Sequence, residues 1–245
     1  MAVPSVDPRP RGRPWVPWDW TDVVLFLVLV VASVVAVSAP IVLGAQAAAP
    51  LLHISRQTAA EVVGQAAVDL PAVGIVVLLV FLRRHGDRRQ LGWRLPRWWW
   101  FLLAFPLALL CLLISVPLQT VNEHLTPGHT NGQCQAVKQG YGAAYALALP
   151  MLSGIVPFAE ETVFRGFFFG WLRRVVPLWL AVLLAALVFA AVHFTLVIFI
   201  PLFAVGLVLV LTYQLSGSLY PGMLVHALFN LVGVISILTA SSCSA

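Results

Sequence analysis

The sequence predicts an all-α fold, a polytopic membrane helical bundle of about seven or eight transmembrane helices, and three observations carry that prediction. The 245 residues are 61% hydrophobic and only 9% charged. Mean hydropathy is +0.96, far above that of water-soluble globular domains. Several apolar runs exceed the roughly 20 residues that a helix needs to cross a bilayer, and none alternates with the period of about two of an outer-membrane strand.

Residues 1–22 read as a proline-rich polar arm. Trp15, Trp18 and Trp20 stand just before hydrocarbon, where tryptophan favours the headgroup level. The first span is expected at about Val23 to Leu43; its apolar run is too long for a signal-peptide core, so it reads as a retained helix. A second span follows at about Ala60 to Leu82, with Glu61 near its start and Asp69 inside it. Asp69 is the polar exception of that run, and helix packing is the favoured reading.

The stretch "RRHGDRRQLGWRLPRWWW" is dense in arginine, and Trp98, Trp99 and Trp100 mark re-entry for a third span, about Phe101 to Leu118. Residues 119–142 are polar, with His124, His129, Cys134 and Lys138. A fourth span starts near Ala143, runs through Pro150 and Pro157, which should kink it, and ends at Arg173 and Arg174. The fifth, sixth and seventh spans are expected at about Leu178 to Phe194, Val197 to Tyr213 and Leu219 to Leu238. No internal repeat is visible, so residues 23–245 read as a single transmembrane domain with the arm ahead of it.

The net charge is +5 and the isoelectric point about 9.6. The arginines cluster at the ends of apolar runs rather than along a polar face, which argues for topology and the lipid bilayer and against nucleic acid. The positive-inside rule puts the N-terminus, the arginine-rich loop and Arg173–Arg174 in the cytoplasm of a multi-pass cell-membrane protein, and residues 119–142 outside. Arginine for nearly all positive charge hints at a GC-rich bacterial genome. The three cysteines show no metal-ligand spacing. Cys134 and Cys243 fall on the same exterior side, but free thiols are expected rather than a disulfide. His53, His85, His124 and His129 read as surface residues, and "SSCSA" is not a CaaX box.

The stretch "FAEETVFRG" sets two carboxylates and an arginine in a membrane helix, where each charge costs at least about 2.5 kcal/mol on insertion scales. Glu161 and Arg165 share a face at i,i+4, with the glutamate N-terminal, so the arginine should pair with Glu161. Glu160 then has no local partner. An unpaired, desolvated carboxylate takes up a proton readily, as a general base must. The competing reading is a buried ion pair that only fixes packing.

Two further polar signals follow, Phe189 with His193 and His226 with Asn230, each at i,i+4. Singly, each is as consistent with a satisfied core histidine or a helix-helix hydrogen bond. Glu160 and His193 each lie about sixteen residues from the turn at Val176–Pro177, at matching heights, and His226 falls within two turns of them. The groups therefore have the depth needed to converge.

At these residues the chain resembles the CPBP family of intramembrane proteases, which includes the type II CAAX prenyl endopeptidases. The family's motifs are Glu-Glu-x-x-x-Arg, Phe-x-x-x-His and His-x-x-x-Asn or Asp, in that order. Here they are Glu160, Glu161 and Arg165, then Phe189 and His193, then His226 and Asn230, in a motif core of about residues 143–238. "LGWRLPRWW" is similar to the family's upstream loop.

The resemblance implies hydrolysis of a peptide bond in a membrane-associated, prenylated or other peptide substrate. Glu160 and His193 would activate water, His226 and Asn230 would donate to the oxyanion, and Glu161, Arg165 and Phe189 would support them. No cofactor is expected. A zinc, if bound, would fall to Glu160, His193 and His226, but HExxH is missing. The alternatives are a non-catalytic membrane immunity or scaffold protein of the same fold and a proton-coupled transporter, the latter calling for inverted repeats.

Overall fold

The computed structural model describes residues 16–52, 54–141, 145–240 and 243; Trp15, His53 and most of the N-terminal arm lie outside the described residues. No strand occurs among the described residues. Six helices are long and apolar enough to cross a membrane: α1 (Trp20–Leu51), α2 (Arg56–Arg83), α4 (Trp99–Leu125), α6 (Ala146–Val175), α8 (Leu196–Ser216) and α9 (Leu219–Thr239). Two short helices, α3 (Arg88–Leu91) and α5 (Gly132–Tyr141), lie in the connections, and α7 (Leu178–Ala191) is a shorter apolar helix.

The first helix begins earlier than its hydropathy alone suggests. Asp19 caps it by accepting from the Thr21 amide, and the Asp22 carboxylate accepts from the Asp19 amide, a capping box that satisfies orphan donors. Asp22 is fully buried and meets Arg83 at 3.0 Å and Arg84 at 2.7 Å, so the start of α1 is pinned to the end of α2. The hydrogen bonds from Thr21, aided by Arg84, hold the Asp19 carboxyl below the usual carboxylate range.

Of the tryptophans expected in the interfacial belt, Trp18 is not available to it. Trp20 is exposed, whereas Trp18 is fully buried against Phe167 and donates its indole N–H to the Phe167 carbonyl at 2.9 Å. A tryptophan can bury its rings wherever its N–H finds an acceptor, and α6 supplies one here. Arg174 donates to the Val16 and Trp18 carbonyls, fastening this segment to the same end of α6.

The arginine-rich connection gathers the bundle at that face. Gly92 ends α3 with a φ of +95° and its carbonyl accepts from the Leu219 amide, while Arg94 donates to the Gly217 carbonyl and Ser218 donates to the Arg94 carbonyl. At this glycine a side chain would meet the Tyr213 ring as well as the left-handed φ. Trp93 reaches from the same loop to stack near Phe158 and to donate to the Thr162 hydroxyl at 3.3 Å.

The fourth span is continuous despite Pro150 and Pro157. It absorbs them with widened π-type turns at Met151–Ile155 and Glu161–Phe169 rather than with a break. Such turns recur at functional sites because they re-aim side chains within an unbroken helix. The fifth expected span differs more: α7 is 14 residues long, about 21 Å at 1.5 Å per residue, and cannot cross a hydrocarbon core of about 30 Å. The chain turns at 192–195, with Phe194 at φ +51°, and re-enters α8.

At the opposite face the polar connection is partly helical. α5 packs on α2, and Cys134 forms a disulfide with Cys243, 109 residues away, which corrects the expectation of free thiols. Helical folding of residues 132–141 brings Cys134 under the C-terminal segment, a proximity no local pattern announces. Lys138 donates to the Ala240 carbonyl at the same place. His85, His124 and His129 are exposed, as expected.

Candidate active site

The two glutamates of α6 have different surroundings. Glu161 is fully buried, and its Oε1 meets Arg165 Nη1 at 3.0 Å and His226 Nδ1 at 3.2 Å. One carboxylate oxygen thus ties an α6 cation to the histidine of α9. Room for this group comes from Gly222, where an added Cβ would stand 3.1 Å from Glu161 Oε2. No local pattern singles out this glycine, since its role depends on which helix faces it.

Arg165 is 1% exposed and its guanidinium carbon lies 4.2 Å from the centre of the Phe189 ring. A cation over an aromatic face gains electrostatic attraction that grows when water is excluded. Phe189 also meets His193 and His226 edge-on, at centroid distances of 4.9 and 5.8 Å. This single ring therefore packs against a residue of each motif.

Glu160 projects to the other side, into a cavity, and its Oε2 accepts no hydrogen bond. His193 Nε2 stands 4.0 Å from Glu160 Oε1, and His226 Nε2 stands 3.8 Å from Oε2. These separations exceed a direct hydrogen bond and suit groups that share a water. The premature end of α7 accounts for His193: its Nδ1 donates to the Phe189 carbonyl at 2.7 Å, one of the acceptors left free at a helix C-terminus, and this fixes the lone pair of neutral imidazole on Nε2. Thr195 donates to the His193 carbonyl and steadies the turn.

Asn230 lines the same cavity one turn along α9 from His226, and its Nδ2 donates to the Leu152 carbonyl at 2.9 Å, inside the widened turn of α6. That bond uses one of two amide hydrogens. All seven motif residues are thus gathered by α6, the α7 turn and α9. Among the described residues no three His, Cys, Asp or Glu side chains are grouped so as to hold a metal ion.

The cavity has a volume of about 1240 Å³, within reach of a peptide segment or a lipid chain. Phe26, Phe167 and Phe168 line it toward the arginine-rich face; Glu61, Asp69 and Tyr141 line it toward the disulfide. Asp69 accepts from Gln65 at 2.8 Å and borders this space, so its partner is within its own helix.

Residues 142–232 match the family described as Type II CAAX prenyl endopeptidase Rce1-like. The matched segment is less than half of the chain and contains Glu160 through Asn230, so it supports the resemblance drawn from the three motifs to the CPBP and CAAX proteases. The C-terminal core is similar to a family of CAAX-type intramembrane endopeptidases, on a multi-pass helical bundle. No curated protein and no solved structure matches the chain.

Proposed function

We propose that this protein is an intramembrane endopeptidase that hydrolyses a peptide bond of a membrane-associated or prenylated substrate held in the central cavity. The observation that carries the proposal is the Glu160 carboxylate, whose Oε1 stands 4.0 Å from the His193 imidazole and whose unpartnered Oε2 stands 3.8 Å from that of His226. A water between Glu160 and His193 would donate one hydrogen to the carboxylate and the other to Nε2 of His193. Its lone pair is then free for the scissile carbonyl carbon.

As the water adds, Glu160 takes its proton, the carbonyl carbon becomes tetrahedral and its oxygen becomes an oxyanion. His226, held at Nδ1 by Glu161, donates from Nε2 when protonated there, and the second amide hydrogen of Asn230 adds a donor. A donor already in place for that charge is worth about 3 kcal/mol in comparable sites. Collapse of the intermediate breaks the C–N bond, and the proton on Glu160 passes to the leaving amine. Glu161, Arg165 and Phe189 hold the histidines in position and touch no reacting atom.

No step above requires a metal. A zinc would call on Glu160, His193 and His226, and a chelator tests that requirement directly. The arginine-rich face is assigned to the cytoplasm of the cell membrane by the positive-inside rule, which leaves the disulfide on the oxidising side. The proposal is tested by expressing wild type and Glu160→Gln in cells and comparing the new peptide ends in their membranes. Ends made only by wild type are expected, and identical sets would favour a non-catalytic membrane protein of the same fold.

A further inference from the structure

The cavity holds more acidic side chains than the proposed hydrolysis uses. Glu61 and Asp69 enter it from α2, Glu123 from α4 and Glu160 from α6, while no lysine or arginine is among the described residues that line it. Lys138, the nearest base in the sequence of this face, is engaged with the Ala240 carbonyl. Carboxylates lining one cavity repel one another unless a cation or a proton joins them.

Two of them are arranged to keep an oxygen available. Gln65 donates to Asp69 Oδ2 and Gln119 donates to Glu123 Oε1, each at 2.8 Å and each within its own helix. The amides orient the carboxylates without neutralising them. Asp69 is only 9% exposed, so an uncompensated charge there is costly.

An independent observation lies on α5. Tyr141 is 3% exposed, borders the same cavity, and its phenol oxygen is buried without a hydrogen-bond partner. Buried phenols ordinarily find a partner, so an orphaned one at the wall of a cavity points to a missing ligand. Burial pushes this phenol up to about 12, with the negative charges of Glu61 and Asp69 adding to the effect, so it is a neutral hydroxyl beside those two acids. Gly140 lets α5 approach this closely, because a Cβ there would collide with the Glu61 side chain.

We propose that Glu61, Asp69 and Tyr141 form a subsite for a basic group of the peptide substrate, an arginine or lysine side chain or a free amino terminus. The ammonium or guanidinium would compensate the carboxylates and use the phenol oxygen as an acceptor. The substrate class narrows accordingly to hydrophobic peptides that carry a cation near the cut. This inference rests on the peptide-hydrolase reading of the cavity.

The test uses the full chain in lipid nanodiscs and three fluorescent leucine–alanine peptides. One carries a central arginine and an acetylated amino terminus, one has citrulline in place of arginine, and one has citrulline and a free amino terminus. Binding is read by fluorescence polarisation on Glu160→Gln, so that turnover does not intervene. The arginine peptide is expected to bind about tenfold or more tighter than its acetylated citrulline twin, since a buried charge pair is being formed. In Glu61→Gln/Asp69→Asn the preference should fall to within about twofold, and Tyr141→Phe should weaken the arginine peptide about threefold at unchanged melting temperature.

A gain confined to the free amino terminus would identify that group as the ligand. Equal binding of all three peptides, or of none, overturns the subsite. If the double substitution prevents folding, the arginine-to-citrulline comparison decides alone. Hydrolysis of the same peptides by wild type separates the two readings: cleavage without arginine preference keeps the protease and removes the subsite, and preference without cleavage does the reverse.

Discussion

Glu161 and His226 share a hydrogen bond of 3.2 Å between α6 and α9, made to the same carboxylate oxygen that meets Arg165. This bond separates the roles of two neighbouring glutamates. In the proposed mechanism Glu161 is the positioning carboxylate and Glu160 the one that meets the water.

Glu161→Gln should therefore lower stability by about 3–5 kcal/mol, because it leaves Arg165 buried without its counter-charge. Glu160→Gln should leave the fold intact and lower the proposed cleavage by about a hundredfold or more. Thermal melting of both variants in detergent, beside cleavage of an anchored reporter, distinguishes them. Equal destabilisation by the two changes would contradict the division of roles.

Gly222→Ala places a Cβ 3.1 Å from Glu161 Oε2 and should displace that carboxylate from His226. The expected loss is about 1–3 kcal/mol of stability together with reduced turnover. A variant that melts and cleaves like wild type would mean α9 shifts freely, against the tight contact seen.

Phe189→Leu keeps apolar bulk but removes the ring that faces Arg165, His193 and His226. It should lower turnover more than substrate affinity and cost about 1–2 kcal/mol in stability through the lost cation–π and edge contacts. The split between kcat and KM is the readout, and a pure KM effect would contradict a positioning role.

Thiol labelling tests the Cys134–Cys243 bridge. Without reductant, denatured protein should label at Cys111 alone, and reductant should expose two more thiols. Reduction should also lower the melting temperature, as a bridge closing so long a loop restricts the unfolded chain by about 5 kcal/mol in the entropic account. Labelling of all three cysteines without reductant would contradict the pairing.

The helical class is legible from the length of the apolar runs, and Glu160, Glu161, Arg165, His193 and His226 are legible because charge and imidazole stand out in hydrocarbon, whereas Phe189 and Asn230 are picked out by the motifs of the family the chain resembles. The depth argument puts Glu160 and His193 at matching heights, from which they could face each other, and they stand 4.0 Å apart. What was not legible depends on which helix lies opposite. Trp18 has the composition of an interfacial residue and is buried because α6 offers the Phe167 carbonyl. The end of α7 at Ala191 is hidden because "VHFTLVIF" stays apolar through the turn. Gly222 and Tyr141 carry no local signal, since one matters for the space beside it and the other for a partner it lacks.

The most direct test of the central claim is hydrolysis of a membrane-anchored reporter by the purified protein in liposomes made up in 18O-water, followed by mass spectrometry of the products. The account predicts one heavy oxygen in the new carboxyl terminus with wild type, undiminished by a chelator, and no product with Glu160→Gln or His193→Ala. Product formed equally by Glu160→Gln would contradict it, as the water would then be activated elsewhere.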